Sequence, residues 1–207
     1  MIEQLPVDFY LTGGTALSRA YLNHRYSDDL DFFVNGSDKF KQQADTIVKN
    51  LSMQNFKFNI ILADAGFVRI NVHDGNAFLK LDFVNDITFR SGFPVSTGIY
   101  RLTDTPLNIL TNKISAPGRL EAKDVVDIVF ISLKYSFIWA TVISEAAEKD
   151  MWVNPVETAK ILDEFPLNRL SAIHWINQIP DQLWFKSQLR HIIKDILEGN
   201  TNTLCRL

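Results

Sequence analysis

Apolar positions fall in short alternating runs along the first hundred residues, and beyond about residue 103 they recur every three to four residues. A period of two marks half-buried strands and a period near 3.6 marks amphipathic helices. The first part therefore predicts strands over Phe9–Thr12, Asp29–Val34, Phe56–Ala63, Phe67–His73 and Phe78–Val84, with helices over Thr15–Asn23 and Asp38–Met53. Asp74-Gly75-Asn76 lies between two of these strands and signals a hairpin turn. In the second part, Thr105 reads as an N-cap and Pro106 as the first position of a helix running to about Ser115, ended by Pro117-Gly118. Further helices are expected from Glu121, over Trp139–Ala147, over Val156–Asp163 and over Gln182–Glu198, with breaks at Pro155, Pro166 and Pro180. With no repeat, low-complexity tract or flexible linker, the expectation is an α+β protein. Residues 1–103 read as an α+β or mixed α/β part, and a helical lobe over 104–207 is expected to pack tightly on it.

Composition narrows the classes. The chain has 207 residues, 46% of them apolar and 12% aromatic, enough for a substantial core. A net charge of −3 and a pI near 5.8 argue against a protein that coats nucleic acid, and leave room for a local basic patch. The N-terminus lacks the basic and apolar regions of a secretory signal. The longest apolar stretch, Val125 to Ile143, is interrupted by Asp127 and Lys134, so no membrane span is expected. Cys205 is the only cysteine, which excludes a disulfide framework and a zinc-finger spacing and suits a reducing cytoplasm. His24, His73, His174 and His191 lack metal-ligand spacing, with His24 read as structural. Trp139, Trp152, Trp175 and Trp184 read as core or interface residues.

Candidate chemistry concentrates in Leu11-Thr-Gly-Gly-Thr-Ala-Leu-Ser18 and Asp29-Leu-Asp31-Phe-Phe33. Two glycines, Gly13 and Gly14, let the backbone approach an anion, and a following helix adds the positive end of its dipole. Thr15 and Ser18 could add hydroxyl donors; alternatively Thr15 only caps the helix. The segment lacks the further glycines of a dinucleotide fingerprint and the Gly-Lys-Ser/Thr ending of a P-loop. Asp29 and Asp31 share one strand face about 7 Å apart at Cα, a spacing suited to carboxylates gripping divalent cations. The plainer alternative is a surface strand with solvated acids, although Asp28 adds a third charge that calls for screening.

Two further groups bear on that site. Lys80, Asp82 and Val84 share one face of the return strand, and an aspartate inside an apolar strand needs a partner, either a metal or Lys80. Asp124 and Asp127 share a helix face, and Lys123 can reach Asp127 at i, i+4. These acids could simply complement the helix dipole, or they could orient Lys113 or Arg119 toward a triphosphate.

Together, Thr12-Gly-Gly-Thr-Ala-Leu, His24-Arg-Tyr-Ser27, Asp29-Leu-Asp-Phe-Phe33, Lys80-Leu-Asp82, Lys113 and Lys123-Asp124-Val-Val-Asp127 resemble the AbiEii/AbiGii-type toxin nucleotidyltransferases, of the DNA polymerase β-like superfamily. The matching segments span roughly residues 9–135. The resemblance implies a nucleotidyltransferase-type mixed sheet with flanking helices over residues 1–103, and transfer of a nucleoside monophosphate from an NTP to an acceptor with release of pyrophosphate. Asp29 and Asp31 would hold two Mg²⁺ ions, and Asp82 would be the third carboxylate, ligating the metal nearest the acceptor and helping to deprotonate its hydroxyl. Gly13, Gly14 and Thr15 would cradle the triphosphate, Lys113 would bind the nucleotide, and Asp124 matches the acidic position of the last motif.

The implied setting is the toxin of a type IV toxin–antitoxin or abortive-infection module, with a cognate antitoxin and an RNA acceptor, the tRNA 3′ end. The same chemistry on a protein or small molecule, or an idle nucleotide-binding module, are the alternatives. Family members often carry a further helix before the Gly-Gly segment, and the C-terminal third of this chain matches no motif, so acceptor choice stays open.

Overall fold

The alternating half of the chain becomes a single mixed sheet. Its strands are β1 (Tyr10–Thr12), β2 (Asp29–Asn35), β3 (Lys57–Ala63), β4 (Phe67–Asp74) and β5 (Ala77–Asp86), in the spatial order β1-β2-β5-β4-β3. β2 and β5 run parallel and the other neighbours are antiparallel. The structure is a computed structural model that describes residues 2–116 and 121–205. The expected helix end at Pro117-Gly118 and the candidate Arg119 lie outside the described residues. Two compact units result, Met1–Tyr21 with Ser27–Thr105 and Leu22–Tyr26 with Pro106–Leu207.

In the first unit, strand alternation sorts the sheet into an apolar and a polar face. Phe32, Val34, Val68, Ile70, Leu81 and Phe83 are buried on one side. Helix α2 (Phe40–Met53) buries Phe40, Ala44, Ile47 and Leu51, the three-to-four-residue spacing of one helix face. Phe9 is fully buried, its ring 5.9 Å from Phe40 and 5.1 Å from Phe83. Each such buried aliphatic or aromatic side chain contributes about 1.5–3 kcal/mol relative to exposure. The β4–β5 hairpin closes through a two-residue loop in which Gly75 takes φ +58°, the left-handed conformation such a turn needs at its first position.

The same unit opens its sheet with a sharp turn. β1 passes directly into the short helix α1 (Gly13–Ala16), which continues as a wider π-type turn over Leu17–Leu22. The segment before residue 105 returns to β1. Leu11 donates its N–H to Leu102 and Asp104 donates its own to Leu11, both at 2.8 Å.

In the second unit, the periodic half forms α3 (Pro106–Ile114), α4 (Ala122–Lys134), α5 (Trp139–Lys149), α6 (Pro155–Asp163) and α7 (Gln182–Glu198). Asn154 caps α6 by accepting the Glu157 N–H at 3.0 Å, with Pro155 at the first helical position. Asp181 caps α7 through the Trp184 N–H at 2.9 Å. Ile109, Leu110, Val126, Ile128, Val129, Trp139, Phe185 and Ile192 are buried, whereas Trp152 is exposed. Residues 22–26 belong here because Tyr26 donates its N–H to His174 at 2.7 Å and Ile176 donates to His24 at 3.3 Å. Among the described residues no helix is long and apolar enough to cross a membrane.

Candidate active site

The polar face of the first unit gathers the predicted carboxylates. Asp31 on β2 lies in register with Thr12 on β1 and with Asp82 on β5, and Asp82 in turn with Arg69 on β4. Asp29, two residues earlier on β2, stands opposite Lys80. Parallel pairing of β2 with β5 is what brings Asp82 beside a pair of acids some fifty positions earlier in the chain.

The glycine turn closes one side of this row. Gly13 adopts φ +69°, and a Cβ built there would collide with the Asp31 carboxylate, lying 3.1 Å from its Cγ. Only glycine serves both demands. Thr15 and Ser18 are both buried. The Thr15 hydroxyl donates to the backbone carbonyl of Asp29, which ties α1 to the acid strand. Thr12, rather than Thr15, occupies the N-cap position, and its hydroxyl donates to Asp104 Oδ2 at 2.6 Å instead of capping the helix. Asp104 is wholly buried and also accepts from Arg90 at 2.7 Å. Sequence reasoning missed Asp104, because a lone Asp before a helix gives no sign of burial.

Cations answer the carboxylates. Lys80 Nζ lies 2.7 Å from Asp29 Oδ2 and 3.9 Å from Asp82 Oδ2. Burial opposes the Lys80 charge, but the Asp29 contact prevails and holds its pKa above the ordinary value. The main partner of Asp82 is Arg69, whose Nε and Nη2 donate to Oδ1 and Oδ2, each at 2.7 Å. The sequence left Asp82 either a metal or its neighbour Lys80 as partner; Lys80 keeps a 3.9 Å contact, and the short hydrogen bonds come from cross-strand Arg69.

In the second unit, Lys113 on α3 meets both acids of α4. Its Nζ lies 2.7 Å from Asp124 Oδ1 and 2.7 Å from Asp127 Oδ2. Asp127 is fully buried and also accepts from His24 Nε2 at 2.8 Å and from Arg25 Nε and Nη2, each at 2.7 Å. Burial raises the Asp127 pKa, but Lys113, His24 and Arg25 outweigh it and hold the carboxyl far below the usual range. Burial likewise opposes the Lys113 charge, and Asp127 and Asp124 keep its pKa above 10.5. Asp124 Oδ2 accepts the Glu121 N–H at 3.0 Å, so it serves the start of α4 as well. Lys123 does not reach Asp127 as the i, i+4 spacing allowed. It pairs with Glu121 at 3.2 Å, because Asp127 faces the interior. Arg25 was missed as a partner; its position beside His24 in a polar turn gives no hint of burial.

A family model described as nucleotidyl transferase AbiEii toxin, type IV TA system, matches residues 2–183. The chain belongs to this family. It is an AbiEii-family nucleotidyltransferase of the type IV toxin–antitoxin class. Two solved structures from Helicobacter pylori share the fold of this AbiEii-family chain. JHP933 is 19% identical with a TM-score of 0.56, covering 93% of this chain and 85% of its own. A second, described provisionally as a nucleotidyltransferase, is 19% identical with a TM-score of 0.58, covering 93% and 88%. No curated protein matches the chain.

AbiEii-family transferases generally use an NTP and a divalent metal. The donor chemistry here fits a hard cation, since three carboxylates occupy one sheet face with Asp31 and Asp82 in register. Their present arrangement does not close around one. Among the described residues no three His, Cys, Asp or Glu side chains form a group that could hold a metal, and both oxygens of Asp82 accept from Arg69.

Proposed function

We propose that this AbiEii-family enzyme transfers a nucleoside monophosphate from an NTP to an RNA acceptor, the tRNA 3′ end, in a Mg²⁺-dependent reaction, and acts in the cytoplasm as a toxin restrained by a cognate antitoxin. The observation that carries the chemistry is Asp31 and Asp82 in register on one sheet face, with Asp29 beside them and the Gly13 turn pressed against Asp31. The acceptor class rests on the family resemblance.

In this reading Asp29 and Asp31 hold two Mg²⁺ ions, with Asp82 as the third carboxylate. Metal held by these residues would supply neutralisation of the triphosphate and of the charge developing on the leaving pyrophosphate. In this reading the Gly13-Gly14 backbone approaches the phosphates, since glycine adds no side chain of its own to that turn. Asp82 accepts the proton of the acceptor hydroxyl as its oxygen bonds the α-phosphorus. The bond from that phosphorus to the bridging oxygen breaks, and pyrophosphate leaves. The nucleotide-binding role of Lys113 rests on the family resemblance; within its own unit Asp127 and Asp124 fix its Nζ.

Incubation with each labelled NTP, Mg²⁺ and total cellular RNA or protein tests the proposal. Label on RNA that disappears in Asp31→Asn is the expected result. Label on protein or a small molecule instead moves the acceptor to another class. No transfer and no NTP binding overturns the chemistry.

A further inference from the structure

Arg69 belongs to none of the motifs that carry the family resemblance, yet it makes the most complete contact on the acidic face. Register sets it directly across from Asp82, and both carboxylate oxygens accept from its planar fork at 2.7 Å. Bidentate, charge-assisted contacts of this kind are the strong ones. The Phe67 ring lies 5.2 Å from the guanidinium carbon and supports it in that position.

The two partners differ in freedom. The Asp82 side chain is 8% exposed and that of Arg69 39%. Asp82 is held in the sheet, whereas the guanidinium can swing toward solvent. Arg69 cannot release Asp82 by losing its proton, since guanidinium stays charged throughout the working pH range. A cation that competes for the Asp82 carboxylate can take its place. The neighbouring Lys80 cannot substitute, because it is engaged with Asp29 at 2.7 Å and is 3.9 Å from Asp82.

Resting on the metal-site reading above, we propose that Arg69 is a counter-ion latch on Asp82. It occupies the third carboxylate while no divalent cation is bound, and must give up at least one of its two hydrogen bonds before Asp82 can donate an oxygen to metal. The arrangement accounts for three carboxylates on one face that do not gather into a metal-holding group. Its consequence is that the bare cation loads weakly, because every loading event includes displacement of the guanidinium.

The test is Mn²⁺ binding to the full chain without nucleotide, followed by calorimetry and by the loss of free Mn²⁺ signal in electron paramagnetic resonance. Wild type is compared with Arg69→Gln, Arg69→Lys, Asp82→Asn and the double variant Arg69→Gln/Asp82→Asn, with circular dichroism confirming the fold of each. Arg69→Gln should bind Mn²⁺ at least about tenfold tighter, the low end expected for removing a hydrogen-bonded charge pair. Arg69→Lys should fall between the two, because a point charge competes without the fork. In the Asp82→Asn background the Arg69 substitution should make no difference.

A folded Arg69→Gln that binds Mn²⁺ no tighter than wild type overturns the latch and leaves the metal site standing. So does a gain that persists without the Asp82 carboxylate. If wild type and Arg69→Gln both fail to bind Mn²⁺, the metal site and the latch fall together.

Discussion

Replacing Asp127 with asparagine tests whether the second unit depends on one buried charge. Asp127 is completely buried and accepts from Lys113, His24 and both donor groups of Arg25. Asparagine keeps the shape and one acceptor oxygen but removes the charge. Lys113, 9% exposed, would keep Asp124 as its carboxylate, whereas Arg25, 3% exposed, would lose the two charge-assisted hydrogen bonds it makes to Asp127. Removing one partner of a buried ion pair costs about 3–5 kcal/mol. Because the substituted amide oxygen could still accept from His24 or Arg25, the lower end, about 3 kcal/mol, is expected. That is a large part of the roughly 5–15 kcal/mol that holds a domain together. Asp124→Asn is the control: its side chain is 20% exposed and Lys113 retains Asp127, so about 1 kcal/mol or less is expected. Urea unfolding reads both. With a slope of about 3 kcal/mol/M, the midpoint should fall about 1 M for Asp127→Asn and about 0.3 M or less for Asp124→Asn. Equal shifts in the two variants, or a loss under about 1 kcal/mol for Asp127→Asn, would refute the assignment of Asp127 as the anchor.

Gly13→Ala combines left-handed strain with a collision against the Asp31 carboxylate, and should cost about 1–3 kcal/mol and abolish NTP binding; normal binding by isothermal titration would contradict the close-approach reading. Asp31→Asn should lower nucleotidyl transfer by about 10³-fold, the several kcal/mol that metal ligation supplies to the transition state, and unchanged label transfer would contradict the metal-site reading. For pH, the unfolded Asp127 carboxyl takes up its proton near its ordinary value of 3.8, and the folded one only far lower. The unfolded state therefore binds more protons in between, so this contribution is present above about pH 4 and declines as pH falls below it. Lys113 works in the opposite direction: its raised pKa stabilises the fold below 10.5 and the contribution disappears as pH rises through the folded value. Urea midpoints from pH 7 down to 3 should show the gap between wild type and Asp127→Asn narrowing with acid, and parallel curves would speak against it.

The element pattern was largely legible because periodicity and capping are local. Helix α7 spans the Gln182–Glu198 expected from its apolar spacing, with Asp181 capping it and Gly199 at φ +67° ending it. The faces of β2 and β5 were equally readable, since alternate residues of a strand point to opposite sides. Partners were another matter. Arg69 is on the polar face of β4 by alternation, but only the β4–β5 register decides that it meets Asp82 rather than Lys80. Lys123 had the right spacing for Asp127 and still turned to Glu121, because helix spacing says which side chains can meet and burial decides which do.

By itself the sequence determined a mixed sheet followed by helices, a glycine turn leading to a carboxylate strand, and a set of motifs specific enough to indicate a nucleotidyltransferase. The elements and the turn depend on residues close together in the chain, where backbone geometry dictates the outcome; the reaction class comes from the family resemblance of motifs spread over roughly residues 9–135. Tertiary structure alone decided that Asp31 and Asp82 stand side by side, that Gly13 presses on Asp31, that Arg69 holds Asp82 in a fork, and that His24 and Arg25 join the helical unit around Asp127. Those choices follow from strand register and from pairing buried charge, which couple residues separated by up to a hundred positions and leave no local trace.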